Sequence, residues 1–188
     1  MQSMLPEHFT WNHHPNNGPD ERLLRLQPGQ RVVDLGCGKG THLAFLCHAY
    51  RVHGVGIDRD PDLLSTARTY FRDGTAEYIQ TEARSWLTNQ ESSVDACYSR
   101  FGAVWFTNPD QLLPAIAARL RPGGRFVFSH VAPGFRSFAE PRWDFEIESW
   151  CERLTGLGFS EVYGRVWPCP DDCQYAPSPG VMIVEATR

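Results

Sequence analysis

The passage from Arg31 to Gly40 restricts this chain more than any other. Arg31-Val32-Val33-Asp34-Leu35 has the branched, apolar character of a strand, and it breaks at once into Gly36-Cys37-Gly38-Lys39-Gly40 before a helical pattern opens at Thr41. Glycines in that turn permit positive φ angles and let a ligand come close to the main chain. In an open parallel sheet, ligands bind beyond the carboxyl ends of the strands, where such turns lie.

The same strand-then-helix alternation continues down the chain. Val52–Ile57 predicts a second strand closing on Asp58. Asp60 caps the next helix and Pro61 suits its first position, with Leu63, Leu64, Ala67, Tyr70 and Phe71 on the apolar face. Ala76–Gln80 and Val94–Tyr98 predict strands three and four. Asn108-Pro109-Asp110-Gln111 opens a helix that buries Leu112, Leu113, Ile116 and Leu120. Arg121–Gly124 reads as a turn and Arg125–Ser129 as the fifth strand. A later helix carries Trp143, Ile147, Trp150, Cys151 and Leu154 on one side and ends at Gly156 and Gly158. Glu161–Trp167 and Val181–Ala186 complete the strands, with a surface loop over 168–180. Alternation of this kind makes an α/β fold with a mostly parallel sheet. At 188 residues, one domain is expected.

Three strand ends in succession carry polar groups suited to a nucleoside. Asp34 stands beside the glycine turn. Asp58 ends the second strand, where an acid accepts hydrogen bonds from ribose hydroxyls, with Arg59 next to it. Glu82 and Ala83 follow the third strand, within reach of an adenine ring. The rival is a dinucleotide-binding oxidoreductase. That motif needs its third glycine three residues after the second, where this chain has Thr41; the third glycine comes early, at Gly40. Asp34 beside the turn repels a pyrophosphate and attracts an ammonium or a sulfonium.

With Asp34-Leu35-Gly36-Cys37-Gly38-Lys39-Gly40, Asp58, Glu82-Ala83 and Leu120-Arg121-Pro122-Gly123-Gly124, the sequence resembles the class I S-adenosylmethionine-dependent methyltransferases from about Val32 to Arg188. The resemblance implies a doubly wound, seven-stranded sheet of order 3-2-1-4-5-7-6 with strand 7 antiparallel, in a three-layer αβα sandwich. It implies S-adenosyl-L-methionine as cofactor, with Gly36 and Gly38 at the methionine end and Ser99 contacting it after the fourth strand. Glu82 departs from the aspartate commoner at its position. The stretch Phe9-Thr10-Trp11-Asn12-His13-His14 is similar to the helical lid of many members, so residues 1–30 read as a lid segment and 31–188 as the Rossmann-like core.

Bulk properties narrow the partners. Apolar residues make up 41% and charged residues 21%, near the globular average. The formal net charge of −4 gives no pull toward nucleic acid or an anionic membrane. The start has no secretion pattern, and no apolar run reaches the roughly 20 residues of a membrane helix; a cytoplasmic location is the expectation. The six cysteines then read as reduced thiols, and Cys169-Pro-Asp-Asp-Cys173 lacks the further ligands of a zinc site, so no metal is expected.

Methyl transfer from a sulfonium is an in-line displacement in which the protein supplies alignment and, for a protonated acceptor, a base. His130, at the end of the fifth strand, is the first candidate base, against the alternative of a histidine that only hydrogen-bonds a backbone carbonyl. His14 is the second, against a solvated turn before Pro15. His42 lies near the turn and reads as packing or cofactor contact. Arg100 is a candidate partner for a carboxylate, or for a nearby acid. Trp105, with Phe101, is a candidate apolar wall, and Trp11 a cation–π partner for the sulfonium.

The acceptor follows by exclusion. Ser99-Arg100-Phe101-Gly102 stands where amino-methylating nucleic-acid enzymes carry Pro-Pro-aromatic, where cytosine-C5 enzymes carry Pro-Cys, and where protein arginine enzymes place glutamates. That leaves a small molecule, such as a secondary metabolite, methylated at oxygen or nitrogen. The short connection 131–142 gives either an open site or one completed by a second subunit of a homodimer. A non-catalytic cofactor-binding or regulatory protein would keep the same glycine turn and differ only at the acceptor side.

Overall fold

A computed structural model describes residues 8–12, 18–71, 74–134, 142–170 and 180–188. Seven strands form one sheet in the order β3-β2-β1-β4-β5-β7-β6: β1 (Arg31–Leu35), β2 (His53–Asp58), β3 (Ala76–Gln80), β4 (Val94–Arg100), β5 (Leu120–Val131), β6 (Ser160–Trp167) and β7 (Val181–Thr187). The first five pair in parallel, and β7 runs antiparallel between β5 and β6. The expected order and the reversed seventh strand are both present. The order turns back between β1 and β4, and there the carboxyl ends of β1 and β2 open toward a common cavity.

Helices cover both faces. α1 (Thr41–Tyr50) and α2 (Pro61–Tyr70) bury Leu43, Leu46, Leu64 and Ala67 on one face, together with Phe9, Trp11 and Leu24 from the amino-terminal segment. α3 (Ala83–Asn89), α4 (Ala103–Phe106), α5 (Pro109–Arg119) and α6 (Ile147–Gly156) cover the other, burying Trp86, Val104, Leu112, Ile116, Trp150 and Leu154. The caps form as the sequence suggests: Asp60 Oδ1 accepts from Asp62 N–H at 2.9 Å, and Asn108 Oδ1 from Asp110 N–H at 2.9 Å. Packing explains the alternation of small and large residues. A Cβ on Gly40, which has φ +72°, would lie 2.4 Å from the Tyr78 ring, so α1 sits against the sheet only because that position is bare.

Several expectations change. α3 and α4 were not foreseen, and α6 begins at Ile147, so Trp143 precedes it rather than lying on it. Arg121–Gly124 is part of β5, with an irregular register against β4 between Val94 and Ala96. The helix described within residues 8–12 and 18–30 is a single 3-10 turn, Glu21–Leu24. Cys37, Cys47, Cys97 and Cys151 are free thiols, but Cys169 is disulfide-bonded to a partner outside the described residues, which corrects the reading of six reduced cysteines. No helix among the described residues is long and apolar enough to cross a membrane, and they contain no cluster of metal-ligating side chains.

Candidate active site

The chain from β1 to α1 is a tight wrap around the end of β2. Gly36 and Cys37 both donate to the carbonyl of Ile57, at 2.8 and 3.0 Å, and Gly40 N–H closes the turn on the Cys37 carbonyl at 2.9 Å. Gly36 (φ +88°) is pressed against the start of α4, where a Cβ would come within 2.6 Å of Ala103 N. Gly38 faces the opposite situation, with no atom within 4 Å of where a Cβ would stand. The turn therefore locks on one side and opens on the other.

It opens into a cavity of about 530 Å³, lined by Asp34, Gly36, Cys37 and Gly38 from the first strand and turn, and by Asp58, Arg59, Glu82 and Ala83 from the next two strand ends. Four further sections of wall come from Thr41 and His42 of α1, Leu63 of α2, Arg100–Ala103 from the end of β4 to the start of α4, and Phe106–Thr107 at the end of α4.

Asp34 is the most unusual group in this wall. It is 3% exposed, and its Oδ1 has no hydrogen-bond partner. The Tyr98 hydroxyl faces the carboxylate and favours its ionised form, yet it too lacks a bond of good geometry. Burial raises the Asp34 carboxyl to about 7; Tyr98 opposes that rise, Asp58 adds to it and Arg100 opposes it. An acceptor left unpaired at this depth costs folding free energy unless a donor arrives from the cavity. Asp58 is engaged differently. Its Oδ2 accepts from Gly38 N–H at 2.8 Å and its Oδ1 from Asp60 N–H at 3.0 Å, so it fixes both the glycine turn and the start of α2. Each oxygen keeps lone-pair capacity toward the cavity. Glu82 lines the cavity but spends its carboxylate capping α3, accepting from Arg84 N–H and Ser85 N–H at 3.0 and 2.8 Å.

The other candidates separate sharply. Arg100 reaches the cavity, and its guanidinium donates to the backbone carbonyls of Thr10 and Asn12. His42 also lines the cavity; burial, then the Arg100 cation, lowers its imidazole to about 3 and keeps it neutral. Phe101 lines it too, held at φ +49° by its N–H to the Ser129 carbonyl.

Five candidates lie elsewhere. Ser99 is fully buried and does not line the cavity: its hydroxyl donates to the Leu35 carbonyl at 2.8 Å and accepts from Val104 N–H, tying β1 to α4. Gly40 is the packing glycine described above. Trp11 is a core side chain whose Nε1–H donates to the Asp20 carbonyl at 2.7 Å, with its ring edge-on to Tyr98. Trp105 is braced by Asp144 Oδ1 at 2.7 Å. His130 is fully buried between the rings of Trp105 and Phe128, and its Nδ1 donates to the Val131 carbonyl at 2.7 Å. The structure does not bring it to the cavity, because the last residues of β5 turn that side chain into the aromatic layer beneath α4 and α6. His14 lies outside the described residues. The reading missed Phe106 and Thr107, whose signal was hidden in a four-residue helix, and Leu63, which was assigned wholly to the core.

Comparison with known proteins agrees with this geometry. A methyltransferase domain family matches residues 32–124. The chain is 33% identical over 165 residues to a trans-aconitate 2-methyltransferase of Paracidovorax citrulli, covering 80% of this chain and 62% of that one. It is 29% identical over 151 residues to a phosphoethanolamine N-methyltransferase of Triticum aestivum, covering 74% and 30%. The chain thus spans less than two thirds of either relative. An S-adenosylmethionine-dependent methyltransferase from Listeria monocytogenes superposes with a TM-score of 0.75 at 16% identity, over 89% of this chain and 94% of that one, a likeness of fold alone. The domain match, the strand order and the acid-flanked turn agree in supporting a class I S-adenosylmethionine-dependent methyltransferase.

Proposed function

We propose that this chain transfers the methyl group of S-adenosylmethionine to an oxygen or nitrogen of a small molecule. The observation that carries the reading is the buried, unpaired Oδ1 of Asp34 in the wall of a cavity that also holds Asp58. A ligand with an ammonium group and a ribose satisfies both acids, whereas a pyrophosphate set against Asp34 would be repelled.

Asp34 would hold the ammonium end, with Gly38 leaving the main chain bare beside it. Asp58 would take the ribose hydroxyls through its free lone pairs. Arg59, Ala83 and the backbone at Glu82 would border the adenine, since the Glu82 side chain is committed to α3. The bound cofactor supplies a methyl group already activated on sulfur. The protein's share is alignment of the acceptor and exclusion of water. Phe101, Phe106 and neutral His42 offer an acceptor two apolar surfaces and one hydrogen-bonding ring. The small acceptors named for the two relatives, trans-aconitate and phosphoethanolamine, support the substrate class.

Calorimetric titration with S-adenosylhomocysteine and with NADH tests the cofactor assignment: binding of the first and not the second is expected. Release of S-adenosylhomocysteine is then measured against phenols, amines and carboxylates, including trans-aconitate and phosphoethanolamine. Firm binding of S-adenosylhomocysteine with an inert panel would favour a regulatory binder instead.

A further inference from the structure

We propose that Arg100 is a positioning residue that fastens the amino-terminal segment 8–12 behind the wall of the cofactor cavity. The inference rests on the methyltransferase reading for the identity of the ligand, but not for the fastening itself.

The guanidinium sits at the end of β4, and its Nε and Nη2 donate to the carbonyls of Thr10 and Asn12 at 2.5 and 2.6 Å. Two acceptors two residues apart on one strand of chain suit a planar fork, and a lysine ammonium does not span them in the same way. The gripped segment is not a surface loop. Phe9, Trp11 and Asn12 are all buried. Phe9 stands edge-on to the His42 ring at 5.2 Å and to Tyr98 at 5.9 Å. His42 and Arg100 are both cavity residues, so the segment backs two portions of the wall at once. Below the grip, the Arg100 guanidinium lies over the Phe101 ring at 5.1 Å. Segment, Arg100 and Phe101 thereby form one unit, held by the guanidinium on the main-chain carbonyls and over the ring.

The test uses the full chain and S-adenosylhomocysteine as probe. Hydrogen exchange of a peptide covering residues 8–12 is followed without ligand in the wild type, Arg100→Gln and Arg100→Lys. Both variants should speed exchange there by about tenfold or more, while β1 and β2 stay protected. Both should also weaken S-adenosylhomocysteine by about tenfold, and Lys, despite its charge, should restore neither property. Phe9→Ala leaves the guanidinium in place and should weaken the probe in the same direction, which keeps the proposal exposed should the Arg100 variants fold poorly. Wild-type exchange in Arg100→Gln, full rescue by Lys, or faster exchange with unchanged affinity would each overturn it. A wild type that does not bind the probe would overturn the methyltransferase reading and leave the exchange comparison standing on its own.

Discussion

The backbone N–H of Gly38 donates to Asp58 Oδ2 at 2.8 Å, joining the glycine turn after β1 to the acid that ends β2. The other carboxylate oxygen holds Asp60 N–H, and Asp60 in turn caps α2. One side chain thus shapes the turn and starts a helix, while its remaining lone pairs face the cavity.

Replacing Asp58 removes all of these at once. Asp58→Ala should weaken S-adenosylhomocysteine by about 1.5–3 kcal/mol, the usual worth of charge-assisted hydrogen bonds. Asp58→Asn, which retains one acceptor oxygen, should lose less. Calorimetry at fixed pH decides, and an unaltered dissociation constant for the alanine variant would remove Asp58 from the ligand site.

Asp34 links ligand binding to pH. Its folded carboxyl stands at about 7, above the ordinary 3.8, chiefly through burial. The unliganded folded chain therefore binds more protons than the unfolded one between those values. Stability from this group should fall as pH rises from about 4 to 7 and then level off. A cationic ligand end favours the ionised form, so affinity for S-adenosylhomocysteine should rise across pH 6 to 8 with release of a proton. Titration in two buffers of different ionisation enthalpy measures that release. Asp34→Asn should abolish both the slope and the proton, and a wild-type affinity flat across this range would show that the carboxylate does not meet the ligand's cation.

Gly40 tests the packing of α1 against the sheet. Gly40→Ala adds a methyl 2.4 Å from the Tyr78 ring at a φ of +72°. Strain and displacement together should lower stability by about 1–3 kcal/mol in thermal or denaturant unfolding. Gly38→Ala, where the Cβ meets open space, carries only the penalty of its φ of +53° and should cost less stability while reducing ligand affinity.

Much of this fold was legible because its signals are local. The Asp60-Pro61 and Asn108-Pro109 starts, the alternation of apolar runs and the turn at Gly36–Gly40 each follow from neighbouring residues. α4 was not legible: four residues hold barely one helical turn, too few for a periodicity. Asp34 and Asp58 share the cavity wall, as expected of strand ends that converge in a parallel sheet. Ser99, Trp11 and Trp105 were expected at the site, but they do not line the cavity, because a side chain's direction is set by what packs around it. Ser99 turns down to Leu35, Trp11 in to Tyr98 and Trp105 across to Asp144. The main-chain carbonyls that hold Arg100 lie about ninety residues earlier, beyond any local pattern.

His130 provides the clearest contrast between sequence position and packing. Its ring stacks on Trp105 at 5.4 Å and 13° and on Phe128 at 6.0 Å and 20°. The Nδ1 is bonded to the Val131 carbonyl, and a carbonyl only accepts, so Nδ1 carries a proton. Burial, more than any neighbour, lowers its pKa below the ordinary 6.5. The unfolded chain then takes up a proton that the folded one refuses, and this group should subtract stability progressively as pH falls through 6.5. His130→Ala opens a gap between aromatic rings and should cost about 2–4 kcal/mol in denaturant unfolding. His130→Phe should retain more of the packing and remove the acid sensitivity. If packing is the residue's role, His130→Phe should keep turnover per folded molecule near that of the wild type, with an unchanged pH profile of kcat. A large loss of kcat in a stably folded His130→Phe would instead restore this histidine to the chemistry.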